Sequence, residues 1–495
     1  MFEEVFSGLA AIFQPTVLLF MLMGIGLGLL FGLLPGISGV TGLAILIPLI
    51  YGMEPQLALA FLMAMYAVCY TGGSVTAILF NIPGTGPNAA TLLDGFPMTQ
   101  KGHAGRALGN ALTASGLGGL VGAVALALLI PAIRPVVMAF AAPESLFLAI
   151  LGISFIAALG SGSMVKGLIA GGLGITIAFV GTQPTSGIPR YAFGTAYLLD
   201  GIPLIPLALG LFAVPTVIRL INTGGAMAQV SSRASTTTSD IIQGIKDVFI
   251  KWWLFLRCSV IGTLVGIVPG VGGETAIWIA YGHAKQTSKY PERFGTGFEE
   301  GVIAPESCNN AKEGGGLMPT LAFGIPGSAA MAVLLGAFLI LGIQPGPMFL
   351  QEHLDIAFTL VGSLVFANII GAAICLVGAP WLSKVAFIRG HLLAPLMLLF
   401  ISVGAYAVRG NIVDVVLAFG LGALGIAMDR YGFSKPALFI GYVLGGLAER
   451  YFYISYSAYS WTFLLRPITL GIIAIIVLGL SSGPIGNLLR RLRRR

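Results

Sequence analysis

Charge is what this sequence has least of. Asp, Glu, Lys and Arg together make up 9% of its 495 residues, against about a quarter in a soluble globular domain. So small a fraction cannot cover a water-facing surface, which excludes an ordinary soluble fold. Cysteine is scarce too. Cys69, Cys258, Cys308 and Cys375 stand far apart with no CxxC or Cys/His spacing, so neither disulfides nor a metal site is expected. No basic residue precedes the first apolar run, only Glu3 and Glu4. The positive start of a signal peptide is missing, and the first span is expected to be uncleaved. A Walker A sequence is also missing, because Gly162-Ser163-Met164-Val165-Lys166-Gly167 lacks its spacing. ATP hydrolysis through a P-loop is excluded.

What is present is apolar. Hydrophobic residues reach 57% and the mean hydropathy is +0.95. A spanning helix needs roughly 20 mainly apolar residues, and such runs recur along nearly the whole chain. In the first half they cover roughly Val17–Leu34, Leu57–Phe80, Ala107–Ile130, Ser145–Leu159, Met164–Val180 and Leu198–Ile221. Lipid is the expected solvent. The 70 glycines are about twice the usual share of roughly 7%. Small residues let membrane helices approach closely, and glycine lets a helix stop and restart inside the bilayer. The net charge of +7 owes much to Arg490, Arg491, Arg493, Arg494 and Arg495. That run is expected to hold the C-terminus on the cytoplasmic face; no nucleic-acid partner is implied.

The chain repeats itself. Gly32-Leu33-Leu34-Pro35-Gly36-Ile37-Ser38-Gly39 corresponds to Gly266-Ile267-Val268-Pro269-Gly270-Val271-Gly272-Gly273, offset by 234 residues. Gly72-Gly73 and Asn81-Ile82-Pro83-Gly84-Thr85 match Gly315-Gly316 and Gly324-Ile325-Pro326-Gly327-Ser328 at an offset of 243. Leu209-Gly210 and Ala213 match Leu444-Gly445 and Ala448 at 235. These blocks imply two homologous repeats, 1–221 and 251–489. Between them lie a polar linker and interfacial helix at 222–250, anchored by Trp252 and Trp253, and a basic tail follows at 490–495. The expected fold is all-α and polytopic, with about a dozen transmembrane segments. Inverted repeats are expected by precedent among transporters.

Each half carries two Pro-Gly breaks inside apolar sequence. Proline removes a backbone donor and glycine permits the reversal. Irregular backbone at membrane depth survives only where it is buried in protein or lines a wet cavity. The exposed helix N-termini suit an anion, and interrupted segments at matching positions of two halves point to a transporter's site. Ordinary packing kinks are the alternative reading. The expected substrate site is Pro35, Gly36, Ser38, Gly39, Asn81, Pro83, Gly84 and Thr85 in the first half. In the second it is Pro269, Gly270, Gly272, Gly273, Asn309, Asn310, Pro326, Gly327 and Ser328. Thr71, Gly72, Gly73, Gly315 and Gly316 are the expected coupling-ion positions, since hydroxyls and freed carbonyls suit sodium. Glu274, Glu306, Glu313, Asp94 and Asp200 are acids that can bind an ion or a proton. Glu306 and Glu313, however, are crowded by Lys312, Glu299 and Glu300, which equally suits a solvated loop. Arg190, Arg409 and Arg450 are expected to anchor span ends, a substrate-facing arginine being the alternative.

These motifs resemble the large membrane subunit of tripartite tricarboxylate transporters. The resemblance rests on Gly32 to Gly39, Gly72 to Gly86, Thr91 to Gly102, Gly266 to Gly273, Ala304 to Ser328, Gly342 to Pro347 and Gly404 to Asp414. It implies a bacterial inner-membrane secondary transporter for carboxylates, driven by a sodium ion or proton gradient. It also implies two partners, a small membrane subunit and a periplasmic substrate-binding protein, and places Asn309-Asn310 with the Pro-Gly segments at the central site. This chain departs from the family where Gly181-Thr182-Gln183 replaces a frequent Gly-x-Asp, and Pro215-Thr216 a frequent Pro-Glu. Losing two acids leaves substrate and ion preference open. A one-component carboxylate carrier is the alternative. An intramembrane enzyme would need a nucleophile with a base or paired acids, and the spans show no such pairing. Elevator and rocking movements both fit, the elevator being the expectation.

Overall fold

The computed structural model describes residues 2–34, 36–137, 139–159, 163–183, 186–222, 237–269, 272–385, 390–407 and 409–478. Pro35, Gly270, the serine- and threonine-rich part of the linker and the arginine tail therefore lie outside the described residues. The first half contributes α1 (Phe2–Ala11), α2 (Pro15–Leu33), α3 (Gly39–Leu46), α4 (Pro55–Phe80), α5 (Ala89–Gln100) and α6 (Ala104–Val137). It continues with α7 (Ala142–Leu159), α8 (Met164–Ala178), α9 (Leu204–Ala208) and α10 (Val214–Asn222). A π-helical turn, Leu209–Ala213, joins the last two. Then come α11 (Thr238–Ile250), α12 (Trp252–Ile267), α13 (Gly272–Thr287), α14 (Glu299–Phe323), α15 (Ala329–Ile340) and α16 (Phe349–Glu352). The chain closes with α17 (Leu354–Val385), α18 (Gly390–Ala407), α19 (Ile412–Tyr431) and α20 (Lys435–Tyr459). The described β-structure is one two-residue pair, β1 (Gly181–Thr182) and β2 (Pro189–Arg190), antiparallel with Gly181 opposite Arg190.

The helix boundaries follow local chemistry. Pro15 and Pro55 open α2 and α4 at positions whose N–H would be unpaired anyway. Gly432 closes α19 in the left-handed conformation. Among the described residues, six helices are long and apolar enough to cross a membrane, or up to eight if each bent pair counts as one span. One bent pair is α11 with α12, which turn by 75° where Trp252 and Trp253 stand exposed. Five shorter apolar helices, α3 and α15 among them, add to the apolar body. The fold is all-α and polytopic, with broken helices.

Helices pack across the two sequence halves. In one bundle α2 lies on α4 and α12 on α14, while α6 of the first half packs on α14 and α17 of the second packs on α4. In the other, α8 and α7 pack on α20, while α19 packs on the 209–213 turn and α18 on α10. Glycines set the crossings, in matching pairs. A Cβ on Gly28 would lie 2.1 Å from the Met65 carbonyl oxygen, and one on Gly262 would lie 2.5 Å from that of Cys308. One turn on, Gly32 faces the Cys69 carbonyl at 2.0 Å and Gly266 that of Lys312 at 2.3 Å. The offsets are again 234 and 243 residues, so the repeat seen in the motifs recurs as geometry. Backbones this close gain dispersion and weak polar contacts, the forces left to drive association in lipid. The short helices α3 and α15 sit where the bundles meet. Gly39 faces the Tyr66 ring of α4, and Gly336 of α15 faces Leu204 and Phe439.

Candidate substrate and ion site

The four breaks form two matched pairs. The α2 and α12 helices end in extended residues at Leu34 and Val268. The α4 and α14 helices end in left-handed residues, Asn81 at φ 58° and Gly324 at φ 68°. After each left-handed end the chain returns into the bundle. Gly84 wedges between Gly32 and Gly73, its would-be Cβ 2.2 Å from the Gly32 oxygen and 2.4 Å from Gly73 Cα. Gly327 does the same between Gly266 and Gly316, at 2.9 and 2.8 Å. Only glycine fits at Gly84. Helices that follow two of the breaks start inside the protein, α3 after the extended end of α2 and α15 after the left-handed end of α14. Ser38 caps α3 by accepting from the Thr41 N–H at 3.2 Å, and Ser328 caps α15 by accepting from Met331 at 3.3 Å. Helices that begin at such tips aim partial positive charge inward.

Between the tips run α4 and α14, buried along nearly their whole length. Here the loop reading of Glu306 and Glu313 is corrected. Both lie within α14 and are buried, at 0% and 3% exposure. Local charge density looked like solvation, but packing against α4, α6 and α12 takes the helix into the core. Lys312 donates to Glu313 and sets its ammonium over the Tyr70 ring, 4.1 Å from the centroid. Tyr70 in turn donates to the Tyr66 hydroxyl at 2.9 Å. On the neighbouring face, Ser74 and Thr91 donate to Glu306 Oε1 at 2.8 and 2.5 Å. Asn88 donates to Ser74 Oγ at 2.8 Å and accepts from Thr85 at 2.5 Å. Asn310 donates to Thr71 at 3.0 Å and to Asn368 Oδ1 at 2.5 Å. Asn309, 1% exposed, has no hydrogen-bond partner for either amide atom.

The expected site residues divide accordingly. Thr71, Asn309 and Asn310 gather in the polar core between α4 and α14. Thr85 joins it through Asn88. Gly72, Gly73, Gly84, Gly315, Gly316 and Gly327 shape the backbone around it, and Pro83 and Pro326 precede the wedged glycines. Gly36 lies in the left-handed region at φ 95°. Ser38 belongs to a separate hydroxyl group, bonded to Thr41, which reaches Thr216 at 3.3 Å. Asn81 is an exposed helix terminus. Pro269 precedes α13, which Gly272 and Gly273 open. Thr91, Ser115 and Asn368 escaped the sequence reading. Thr91 was legible as one helical turn beyond Asn88, whereas Asn368 is brought in by packing alone.

The remaining acids and arginines are accounted for. Asp94 accepts from the Tyr281 hydroxyl and from the N–H groups of Gly295, Gly297 and Phe298, all at 2.9 Å. Asp200 is exposed, and the Glu274 side chain lies outside the description. Arg190 makes a two-pronged pair with Glu449 at 2.6 and 3.0 Å. Arg409 caps the carbonyls of Asp200 and Gly201, and Arg450 reaches Gln344 at 3.4 Å. Gln183 donates to the Tyr453 hydroxyl at 2.6 Å. No group of three or more His, Cys, Asp or Glu able to hold a metal occurs among the described residues.

The model of the tripartite tricarboxylate transporter TctA family matches residues 18–440. The chain belongs to that family. It is 31% identical over 481 residues to an uncharacterized 52.8 kDa protein of the TAR-I ttuC' 3' region of Agrobacterium vitis, covering 94% of this chain and 93% of that one. A second Agrobacterium vitis protein, uncharacterized and from the TAR-II ttuC' 3' region, is 34% identical over 190 residues, 38% of this chain and 78% of its own. No solved structure matches the chain at a significant level. The family is that of the large subunit of a tripartite transporter, and the multi-pass helical body agrees with membership.

Proposed function

We propose that this chain is the membrane subunit of a binding-protein-dependent secondary transporter that imports a carboxylate on a sodium or proton gradient. The observation that carries the reading is the matched pair of re-entering tips, 81–88 and 324–328, closing on the buried polar core between α4 and α14. Inward-facing helix starts and the unpaired Asn309 amide are suited to carboxylate oxygens. In this reading a periplasmic protein delivers the substrate and a small membrane subunit completes the complex. The host membrane is a bacterial inner membrane with the C-terminus cytoplasmic, and the repeats are inverted. Movement is of the elevator kind, the tips travelling with the substrate. Cross-linked cysteine pairs that never trap an inward-facing state would count against that movement.

The test is uptake of a panel of radiolabelled carboxylates into proteoliposomes holding this chain with its small partner. Uptake that needs both an imposed ion gradient and the binding protein is expected. Uptake undiminished without the binding protein assigns a one-component carrier instead.

A further inference from the structure

The α4 face bearing Thr71 and Ser74 meets the α14 face bearing Glu306 and Asn310, and their bonds leave an oxygen over on each α14 side chain. Glu306 uses Oε1 for both Ser74 and Thr91 and has the Asn88 amide beside its carboxylate, while Oε2 is buried and accepts no hydrogen bond of its own. Asn310 uses its nitrogen for Thr71, Asn368 and the Ala67 carbonyl, while Oδ1 is likewise buried and unpartnered. The amide cannot be turned over to hide that oxygen. Ala67 offers only a carbonyl, and Asn368 is fixed by its own donation to Leu364 at 2.9 Å. The two residues are 0% and 1% exposed, and four positions apart on a helix places them on one face.

A buried carboxylate oxygen and a buried amide oxygen with nothing to accept from are costly unless a donor or a cation lies against them. Lys312 does not serve, being engaged by Glu313 and by the Tyr70 ring. Asp94 of α5 is filled by its own donors. Among the described residues, the side chains of α6, α12 and α17 that bond to α14 or to Thr71 are Ser115, Ser259, Thr263 and Asn368, all uncharged. A proton on Glu306 Oε2 makes that oxygen a donor able to meet Asn310 Oδ1, so a neutral carboxyl is the rival occupant that the test must separate. A small hard cation meets both at once, and oxygen ligands are the ones it prefers. One carboxylate among neutral oxygens balances a single positive charge, whereas divalent calcium sites gather six to eight oxygens with several carboxylates.

We propose that Glu306 and Asn310 supply the carboxylate and amide oxygens of a sodium site on the α4–α14 contact. The coupling of that ion to uptake rests on the transport reading; the binding of sodium does not. Thermal unfolding of the purified full chain in detergent tests it, with NaCl exchanged for choline chloride or KCl at constant ionic strength. The wild-type midpoint is expected to rise saturably with sodium alone. The half-saturating concentration is expected to rise tenfold or more in Glu306→Gln and in Asn310→Ala. Should Glu306→Gln fail to fold, Glu306→Asp keeps the charge and is read for the same displacement. No sodium-specific rise in the wild type, or an unchanged half-saturation in the folded variants, overturns the site. Stabilisation by acid instead of sodium, lost in Glu306→Gln, also overturns it by assigning a proton. Sodium stabilisation without uptake of any carboxylate leaves the site standing and refutes the transport reading.

Discussion

Lys312 and Glu313 are neighbours in sequence and partners in space, both almost fully buried within α14. Removing one leaves the other charge buried and alone, at a cost of about 3–5 kcal/mol. Lys312→Met is therefore expected to lower the thermal midpoint sharply. The double variant Lys312→Met/Glu313→Gln should regain most of that loss, as differential scanning of the detergent-solubilised protein would record. Asn309 behaves oppositely. Neither of its amide atoms has a hydrogen-bond partner, so Asn309→Ala breaks no hydrogen bond and removes two unsatisfied buried atoms, and the midpoint should hold or rise. Carboxylate uptake should nevertheless fall at least tenfold, and unaltered uptake would remove Asn309 from the site. At this scale the sequence reading was uneven. Thr71, Asn309 and Asn310 stood out as polar residues beside glycine-rich breaks, because apolar surroundings make such residues conspicuous. Glu306 was obscured by nearby charges, although its spacing of four to Asn310 and seven to Glu313 is that of one helix face.

The re-entering tips are the element on which the site depends, and Gly84 is their tightest point. A methyl group there meets the Gly32 carbonyl oxygen and Gly73 Cα well inside contact distance, an overpacking that costs about 1–3 kcal/mol. Gly84→Ala is expected to lose stability and uptake together. Gly172→Ala, on α8 with nothing within 4 Å of its would-be Cβ, should be neutral or slightly stabilising in the same unfolding assay. Asp94 ties elements together differently, holding α5 to the 295–298 loop through three backbone N–H groups. Asp94→Ala strands those donors, so faster amide hydrogen exchange confined to residues 293–299 is the expected signature. The helices themselves were legible: the first-half runs read from hydropathy fall within a few residues of α2, α4, α7 and α8, while α6 continues past Ile130 to Val137. The last run starts later, at Leu204, because residues 196–200 wind into a short 3-10 turn ahead of Pro203. The polar α14 has no hydropathy signal, since its burial comes from protein neighbours and not from lipid.

Across the whole molecule the two sequence halves interlock, each bundle drawing helices from both and the short helices α3 and α15 lying between them. The repeat was visible as motifs at near-constant offsets, while the exchange of α6 and α17 between halves was not, because tertiary pairing leaves no mark on periodicity. In the proposed transport reading the paired tips enclose one carboxylate site. Single cysteines at Thr85 and at Ser328, in a background with the four native cysteines replaced, test it most directly through maleimide labelling in proteoliposomes. The carboxylate identified by uptake should slow labelling at both positions, one from each half, and leave a cysteine at exposed Thr195 unaffected. Equal labelling rates at both tips with and without a transported carboxylate would contradict the claim.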